Sequence, residues 1–230
     1  NAACFFEMAN NYTISALSVQ KRNPQRVNVY LDGEFAFGLA RIVAAWLQVG
    51  QVLDDEKIAQ LKAEDEFEVA YQRALRLIRY RPRTESEIRL NLSRNEVSAG
   101  LQDAVVARLK ENRLLDDTAF AQTWVENRSE LRPRSRRALA FELGRRGVDR
   151  SVVDETLAQI DDDAMAYQAA LRRAPKFKDL EWPDFRTKLF RFLAQRGFNY
   201  EASREAIDRV WQELHAGQPI PGDEEGLTWK

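Results

Sequence analysis

The residues best equipped to do chemistry in this sequence are arginines. The stretch ELRPRSRRALAFELGRRGVDR, residues 130–150, carries Arg132, Arg134, Arg136, Arg137, Arg145, Arg146 and Arg150; Arg128 stands just before it, and Arg79, Arg81 and Arg83 lie in the earlier RYRPR. A guanidinium is planar, permanently charged and forked, so it suits phosphate or carboxylate better than an ammonium does. Residues 70–150 hold 18 basic side chains, 17 of them Arg, against 11 acidic ones, a balance of +7. Residues 1–69, with 6 against 10, and residues 151–230, with 11 against 15, each carry −4. The net charge of −1 therefore conceals a basic centre between acidic ends, and it is the local field that draws a polyanion. Helical spacing offers a competing account of some of these charges, because Glu85 and Arg89, like Glu142 and Arg146, stand four apart. It leaves Arg132, Arg134, Arg136 and Arg137 with Glu130 as their only nearby acid. Those four, and after them the RYRPR group, are the expected binding residues.

Catalysis has little to work with. There is one His, His215, and one Cys, Cys4, and no glycine-rich phosphate loop, metal-spaced Cys/His set or nucleophile elbow. No catalytic residue, cofactor or metal site is expected. The acidic runs at 116–117 and 161–163 could ligate Mg²⁺ in a nuclease, but the simpler reading is that they cap the helices that follow them. Tyr71, Phe120, Trp124 and Tyr167 fall on repeating apolar faces and read as core rather than as base-stacking platforms. A single Cys forms no internal disulfide, which agrees with a reducing compartment. The most apolar stretch, ARIVAAWLQVG, contains Arg41 and falls short of the roughly 18–20 residues a membrane span needs. The opening NAACFFEMAN lacks the basic start and sustained apolar run of a signal peptide, so a cytoplasmic protein without membrane contact is expected. Met8 opens MANNYTISALSV like a natural start, so residues 1–7 are expected to be an upstream extension.

The elements that must position the arginines are mostly helical. First come two strands: ISALSVQ with apolar Ile14, Ala16 and Val19, and RVNVYL alternating Val27, Val29 and Leu31. Asp32-Gly33 then predicts a type I′ hairpin turn into EFAFGL, and Asp54 or Asp55 is placed to cap a helix before Ile58 and Leu61. From residue 70 a pattern repeats. Ala70-Tyr71 with Leu75, Ala119-Phe120 with Trp124, and Ala166-Tyr167 with Leu171 mark three first helices. Ile88 and Leu92, Leu139 and Leu143, Leu189 and Leu193 mark three second helices. Leu101, Val105, Val106 and Leu109 mark the first of three third helices; Val152, Thr156, Leu157 and Ile160, then Ala202, Ala206, Ile207 and Val210, mark the others. Leu92 to Leu143 is 51 residues and Leu143 to Leu193 is 50, a long regular period.

Within each unit the second and third helices form a helix-turn-helix. Thr84 and Ser135 are N-caps, with Glu87 at the third position of a capping box; Asp184 after Pro183 substitutes in the third unit. Gly147 and Gly197 close the second helices in left-handed conformation, and where the first unit has Glu96 instead, Asn95 is expected to take the strained turn or the loop to run differently. The resulting organisation is a leader over 1–12, a small N-terminal domain over 13–62, repeats over 63–115, 116–162 and 163–215, and a flexible acidic tail over 216–230.

These motifs resemble the RecX family, regulators of the RecA recombinase. ALRLIRYRPRTESEIRLNL is similar to the family's first-unit signature, LLDDTAFAQTWVENRSELRPRSRRALAFELGRRGV to its central one and KLFRFLAQRGFNYEASREAIDRVW to its closing one, so that the match covers about residues 67–214. NVYLDGEFAFGL resembles the N-terminal extension of a subset of the family. Departures are Glu96, where Gly is usual, and the loop SELRPRS, where many relatives carry Gly. The resemblance implies three tandem three-helix repeats in an elongated curved array. It implies a non-enzymatic modulator that binds the RecA filament on single-stranded DNA, lowers its ATP hydrolysis and strand exchange, and hinders its growth, with consequences for homologous recombination, DNA repair and the SOS response. On that reading the partners are the RecA filament and single-stranded DNA, met directly or through the filament; the eleven arginines named above are the contact residues, and the chain acts as a monomer. The rival is a regulator reading duplex DNA through its helix-turn-helix pairs, yet the third helices begin AGLQDAVV, DRSVVDETL and NYEASREAI, acidic and mutually dissimilar.

Overall fold

The computed structural model describes residues 10–215, so Cys4, the proposed start at Met8 and the tail over 216–230 lie outside the described residues. The chain divides into two compact units, one comprising the sequence up to Pro82 with Ile88–Leu115, the other Arg83–Glu87 with everything from Asp116 onward.

The first unit opens with an antiparallel sheet of β1 (Asn11–Gln20), β2 (Asn23–Leu31), β3 (Glu34–Ala40) and β4 (Val52–Asp54), in the order β3-β2-β1-β4. β1 thus begins inside the expected leader. Asp32 and Gly33 have φ of 51° and 93°, as the type I′ turn between β2 and β3 requires. Val27, Val29 and Leu39 are buried against Ile14 and Leu53. In β1 the inward face does not continue through Ala16 and Val19: the pairing shifts between Ile14 and Ala16, which turns Leu17 toward the core and leaves Val19 54% exposed. One extra residue in a strand reverses the side-chain alternation beyond it.

Helix α1 (Asp55–Tyr80) is capped by Asp54, whose carboxylate accepts the Lys57 N–H at 2.7 Å. It runs without a break across the boundary expected at 62 and 63. Its first half presents Ile58 and Leu61 to the sheet, and its second half presents Ala70 and Ala74 to α2 (Glu85–Ser93) and α3 (Ala99–Glu111). Asp65 ties helix to sheet, accepting from Arg26 Nη2 at 2.9 Å and from the Ala40 N–H at 2.5 Å.

The second repeat comprises α4 (Asp117–Leu131), α5 (Arg136–Arg145) and α6 (Arg150–Leu157); the third comprises α7 (Asp162–Arg173), α8 (Trp182–Ala194) and α9 (Tyr200–Leu214). Ile88 and Leu92, Leu139 and Leu143, and Leu189 and Leu193 are all fully buried, as their spacing predicts. The first helices differ from expectation. They face the cores with small residues (Ala70 and Ala74, Ala121, Ala166 and Ala170), while Leu171 is 39% exposed and Tyr71, Phe120, Trp124 and Tyr167 pack at the cluster rims. Small side chains let three helices of a short repeat approach closely, which leaves no room for the bulky residue four positions on. In α6 it is Val153 with Leu157 that is buried, while Val152 and Thr156 flank the core.

The ends of the second helices also correct two expectations. Glu96, not Asn95, takes the left-handed turn, with φ of 60°, and the Val97 N–H reaches the Leu92 carbonyl at 3.2 Å, just as Val148 reaches Leu143 at 3.2 Å and Phe198 reaches Leu193 at 3.3 Å. The loop runs as it does in the other repeats, and an exposed Glu bears the strain where no neighbouring helix crowds it. In the third repeat, α8 begins at Trp182 after Glu181, with no side-chain cap, and Asp184 sits inside its first turn. The position eight before Leu193, equivalent to Ser135 eight before Leu143, is Phe185. It is fully buried beneath Trp211, with ring centroids 5.0 Å apart, and beside Trp182 and His215.

Candidate binding surface at the joints between repeats

Within the second unit the repeats are linked by two joints built from the same parts. Each joint sets the N-terminus of one second helix against the C-terminal turn of the next one. In the first, Thr84 Oγ1 donates to the Arg146 carbonyl at 2.6 Å and accepts from the Glu87 N–H at 3.2 Å. In the second, the Ser135 N–H donates to the Arg196 carbonyl at 3.1 Å, while Ser135 Oγ accepts from the Ala138 N–H at 3.2 Å. Thr84 and Ser135 are both fully buried.

A glycine closes each contact. A Cβ on Gly147 would lie 2.3 Å from Ser86 Oγ, and one on Gly197 would lie 2.6 Å from Ser135 Oγ; both glycines have positive φ, 74° and 89°. Glycine is thus required twice over, by conformation and by approach.

The acidic runs complete the joints. Asp116 and Asp161 cap their own helices, accepting from the N–H groups of Ala119 at 2.9 Å and of Asp163 at 2.9 Å. The next acid reaches back to the preceding repeat: Asp117 accepts the Glu85 N–H at 2.9 Å, and Asp162 accepts the Arg136 N–H at 2.6 Å. The capping expectation holds for the first acid of each run; the second satisfies a free donor on a neighbour's helix. A signal for this second role existed, since each of the two acids directly follows a helix-capping acid.

The arginines sort by what holds them. Glu142 does not pair with Arg146, although the two are four apart. It lies 2.9 Å from Arg128 Nε, 2.9 Å from Arg134 Nε and 2.9 Å from the Trp124 indole N–H. The Arg134 contact is an ion pair without an aligned hydrogen bond. Arg146 reaches Glu87 at 2.9 Å, which also lies 3.7 Å from Arg83, and stacks with Arg128 around the Trp124 ring, each guanidinium 4.7 Å from its centroid. Arg150 approaches Asp154 at 3.6 Å, fully in solvent. Glu130 is therefore not the acid that matters to the central cluster; Glu142 is, from the next helix.

Arg79, Arg132, Arg136, Arg137 and Arg145 make no side-chain ion pair among the described residues. Arg79 is exposed at the end of α1, and Arg81 Nη1 donates to the Pro82 carbonyl at 2.9 Å. Arg132, Arg136 and Arg137 are exposed around the start of α5, and Arg145 lies 5.9 Å from the centroid of the exposed Phe141 ring. Two arginines that the sequence reading passed over complete the second joint. Arg196 Nη1 donates to the Pro133 carbonyl at 3.1 Å and lies 4.4 Å over Phe192, while Arg173 lies 5.4 Å over the same ring. Burial, and then the charges of Arg134, Arg132 and Arg173, hold the Arg196 guanidinium below its ordinary value.

The fold defines a class: tandem three-helix repeats behind a small antiparallel sheet. Its parts match, in order, the regulatory protein RecX N-terminal domain over residues 12–54 and the first, second and third RecX three-helix domains over 70–109, 116–157 and 161–207. The chain belongs to the RecX family of regulatory proteins. It is 31% identical to the regulatory protein RecX of Clostridium perfringens strain SM101 over 204 residues, covering 86% of this chain and 95% of the relative. It is 30% identical to that of Leuconostoc mesenteroides over 202 residues, covering 86% and 75%. The fold is similar to that in a crystal structure of regulatory protein RecX, with a TM-score of 0.64 at 25% identity, covering 88% of this chain and 99% of the other. Among the described residues no helix is long and apolar enough to cross a membrane.

Proposed function

We propose that this protein is a non-catalytic modulator of RecA. It binds the RecA filament on single-stranded DNA, lowers ATP hydrolysis and strand exchange, and restrains filament growth, and so regulates recombination, repair and the SOS response. It acts in the cytoplasm as a monomer. Family membership supports the regulatory role, and one observation carries the placement. Arg132, Arg136 and Arg137 are exposed, close in sequence and held by no carboxylate among the described residues, whereas Arg83, Arg128 and Arg146 serve the fold and Arg134 shares Glu142 with Arg128. The free trio faces an acidic partner surface or DNA phosphates, and the acidic flanks of the chain limit indiscriminate adhesion to nucleic acid.

The test is ATP hydrolysis by RecA on single-stranded DNA, titrated with the protein at two salt concentrations. Wild type is expected to inhibit, more weakly at high salt. Arg136→Ala/Arg137→Ala is expected to raise the half-inhibiting concentration by about tenfold, with a shallower salt dependence. Unchanged inhibition by this variant overturns the placement; absence of inhibition by wild type overturns the function.

A further inference from the structure

Five guanidiniums gather where the second repeat meets the third: Arg128, Arg132, Arg134, Arg173 and Arg196. Glu142 is the one carboxylate that pairs with any of them among the described residues, and it is already divided between Arg128, Arg134 and the Trp124 N–H. The chain assembles this group from three places. Arg132 and Arg134 flank Pro133, whose carbonyl takes the Arg196 Nη1 hydrogen bond, and Arg196 shares the Phe192 ring with Arg173 from the end of α7. The Nε of Arg173 is shielded from solvent without a hydrogen-bond acceptor, and that of Arg134 has only the unaligned contact with Glu142. Such donors are costly to leave unmet, and like charges drawn together and partly desolvated repel until an anion enters. The lowered basicity of Arg196, set by burial and by its three arginine neighbours, expresses the same repulsion.

We propose that Arg132, Arg134, Arg173 and Arg196 form a phosphate-binding site for the backbone of single-stranded nucleic acid. The charge balance favours a backbone over a protein carboxylate. A carboxylate brings one charge and must be placed by its own fold, whereas a nucleic-acid strand brings one phosphate with every nucleotide and so presents several to one patch. Guanidinium forks match phosphate oxygens in pairs. The site gives a residue-level form to the DNA contact in the proposed function and rests on that reading for the partner it names. It is tested without RecA, so either can fail alone.

The full-length protein is titrated into a fluorescently labelled oligothymidylate, and anisotropy is read at several KCl concentrations. Arg132→Ala/Arg173→Ala is expected to bind about tenfold more weakly and to flatten the log–log salt slope by about 1.4, two phosphates at ~0.7 each. Lys21→Ala/Arg22→Ala, which removes two charges from the turn between β1 and β2, is expected to leave both unchanged. Circular dichroism melts establish that the variants fold; should the double variant melt far below wild type, Arg173→Gln alone carries the comparison. Three results overturn the site as a backbone site. One is affinity and slope unchanged in the arginine variant. Another is loss of poly-glutamate binding with the oligonucleotide retained, which assigns the cluster to an acidic protein. The last is a wild-type melting shift with inorganic phosphate at matched ionic strength, absent in the variant, with oligonucleotide binding unaltered, which assigns it to free phosphate.

Discussion

The two joints of the second unit use one backbone device and opposite electrostatics. Both have a buried hydroxyl residue, a left-handed glycine, an acid reaching back from the next repeat and an arginine in the closing turn. At the first joint that arginine, Arg146, meets Glu87 at 2.9 Å. At the second its counterpart, Arg196, meets no carboxylate among the described residues, and Ala138 holds the position, three residues beyond Ser135, that Glu87 holds beyond Thr84. Joining repeats therefore does not require uncompensated charge. The arginine of the first joint is met by its own chain, and the cations at the second that have no carboxylate among the described residues are available for something outside it.

The comparison breaks most completely at the glycines. Gly147→Ala or Gly197→Ala is expected to destabilise by about 2–4 kcal/mol, combining a left-handed Cβ with a clash against the neighbouring helix, read by urea or thermal unfolding. If either is neutral, the joints are looser than drawn. Exchanging the charges sharpens the contrast. Glu87→Ala removes a carboxylate shared by two partly buried arginines and is expected to cost about 1–2 kcal/mol, whereas Ala138→Glu places a carboxylate beside Arg196 and is expected to weaken oligonucleotide binding several-fold at unchanged or higher stability. Thr84→Ala removes a cap and the bond to the Arg146 carbonyl, with an expected loss of about 1–2 kcal/mol.

The smallest effect lies away from both joints, at Asp149, which caps α6. The Ser151 hydroxyl, at 2.6 Å, and then its N–H, at 2.8 Å, hold this carboxyl below the usual aspartate value. A depressed folded pKa stabilises above the unfolded value and is lost as pH falls through the folded one, so Asp149→Asn is expected to flatten slightly the acid limb of a stability–pH curve.

What could be read from the sequence was what is local. The leucine pairs, the hairpin turn, the caps at Thr84 and Ser135 and the glycine closures all depend on residues within a few positions of one another, and the helical or strand period exposes them. Ion pairing was misread because helical spacing proposes partners on the same helix, while the observed ones cross between helices: Glu142 serves Arg128, 14 residues before it, and Arg146 reaches Glu87, 59 residues away. Arg173 and Arg196 were passed over for the same reason. They lie outside the basic stretch and join it only when α7 and α8 pack against the loop at Pro133. The β1 face was misjudged by a single pairing shift, for which the strand pattern carries no warning.

The aromatic lid over Phe185 also sets the third second helix apart from the other two. A fourth module would need a hydroxyl residue where Phe185 stands, and Trp211 already occupies the space into which its closing turn would fit. A further module joined by the same device would need this aromatic plug rebuilt. The stack that fills the third core thus takes the place that a joint occupies at the start of the other two second helices.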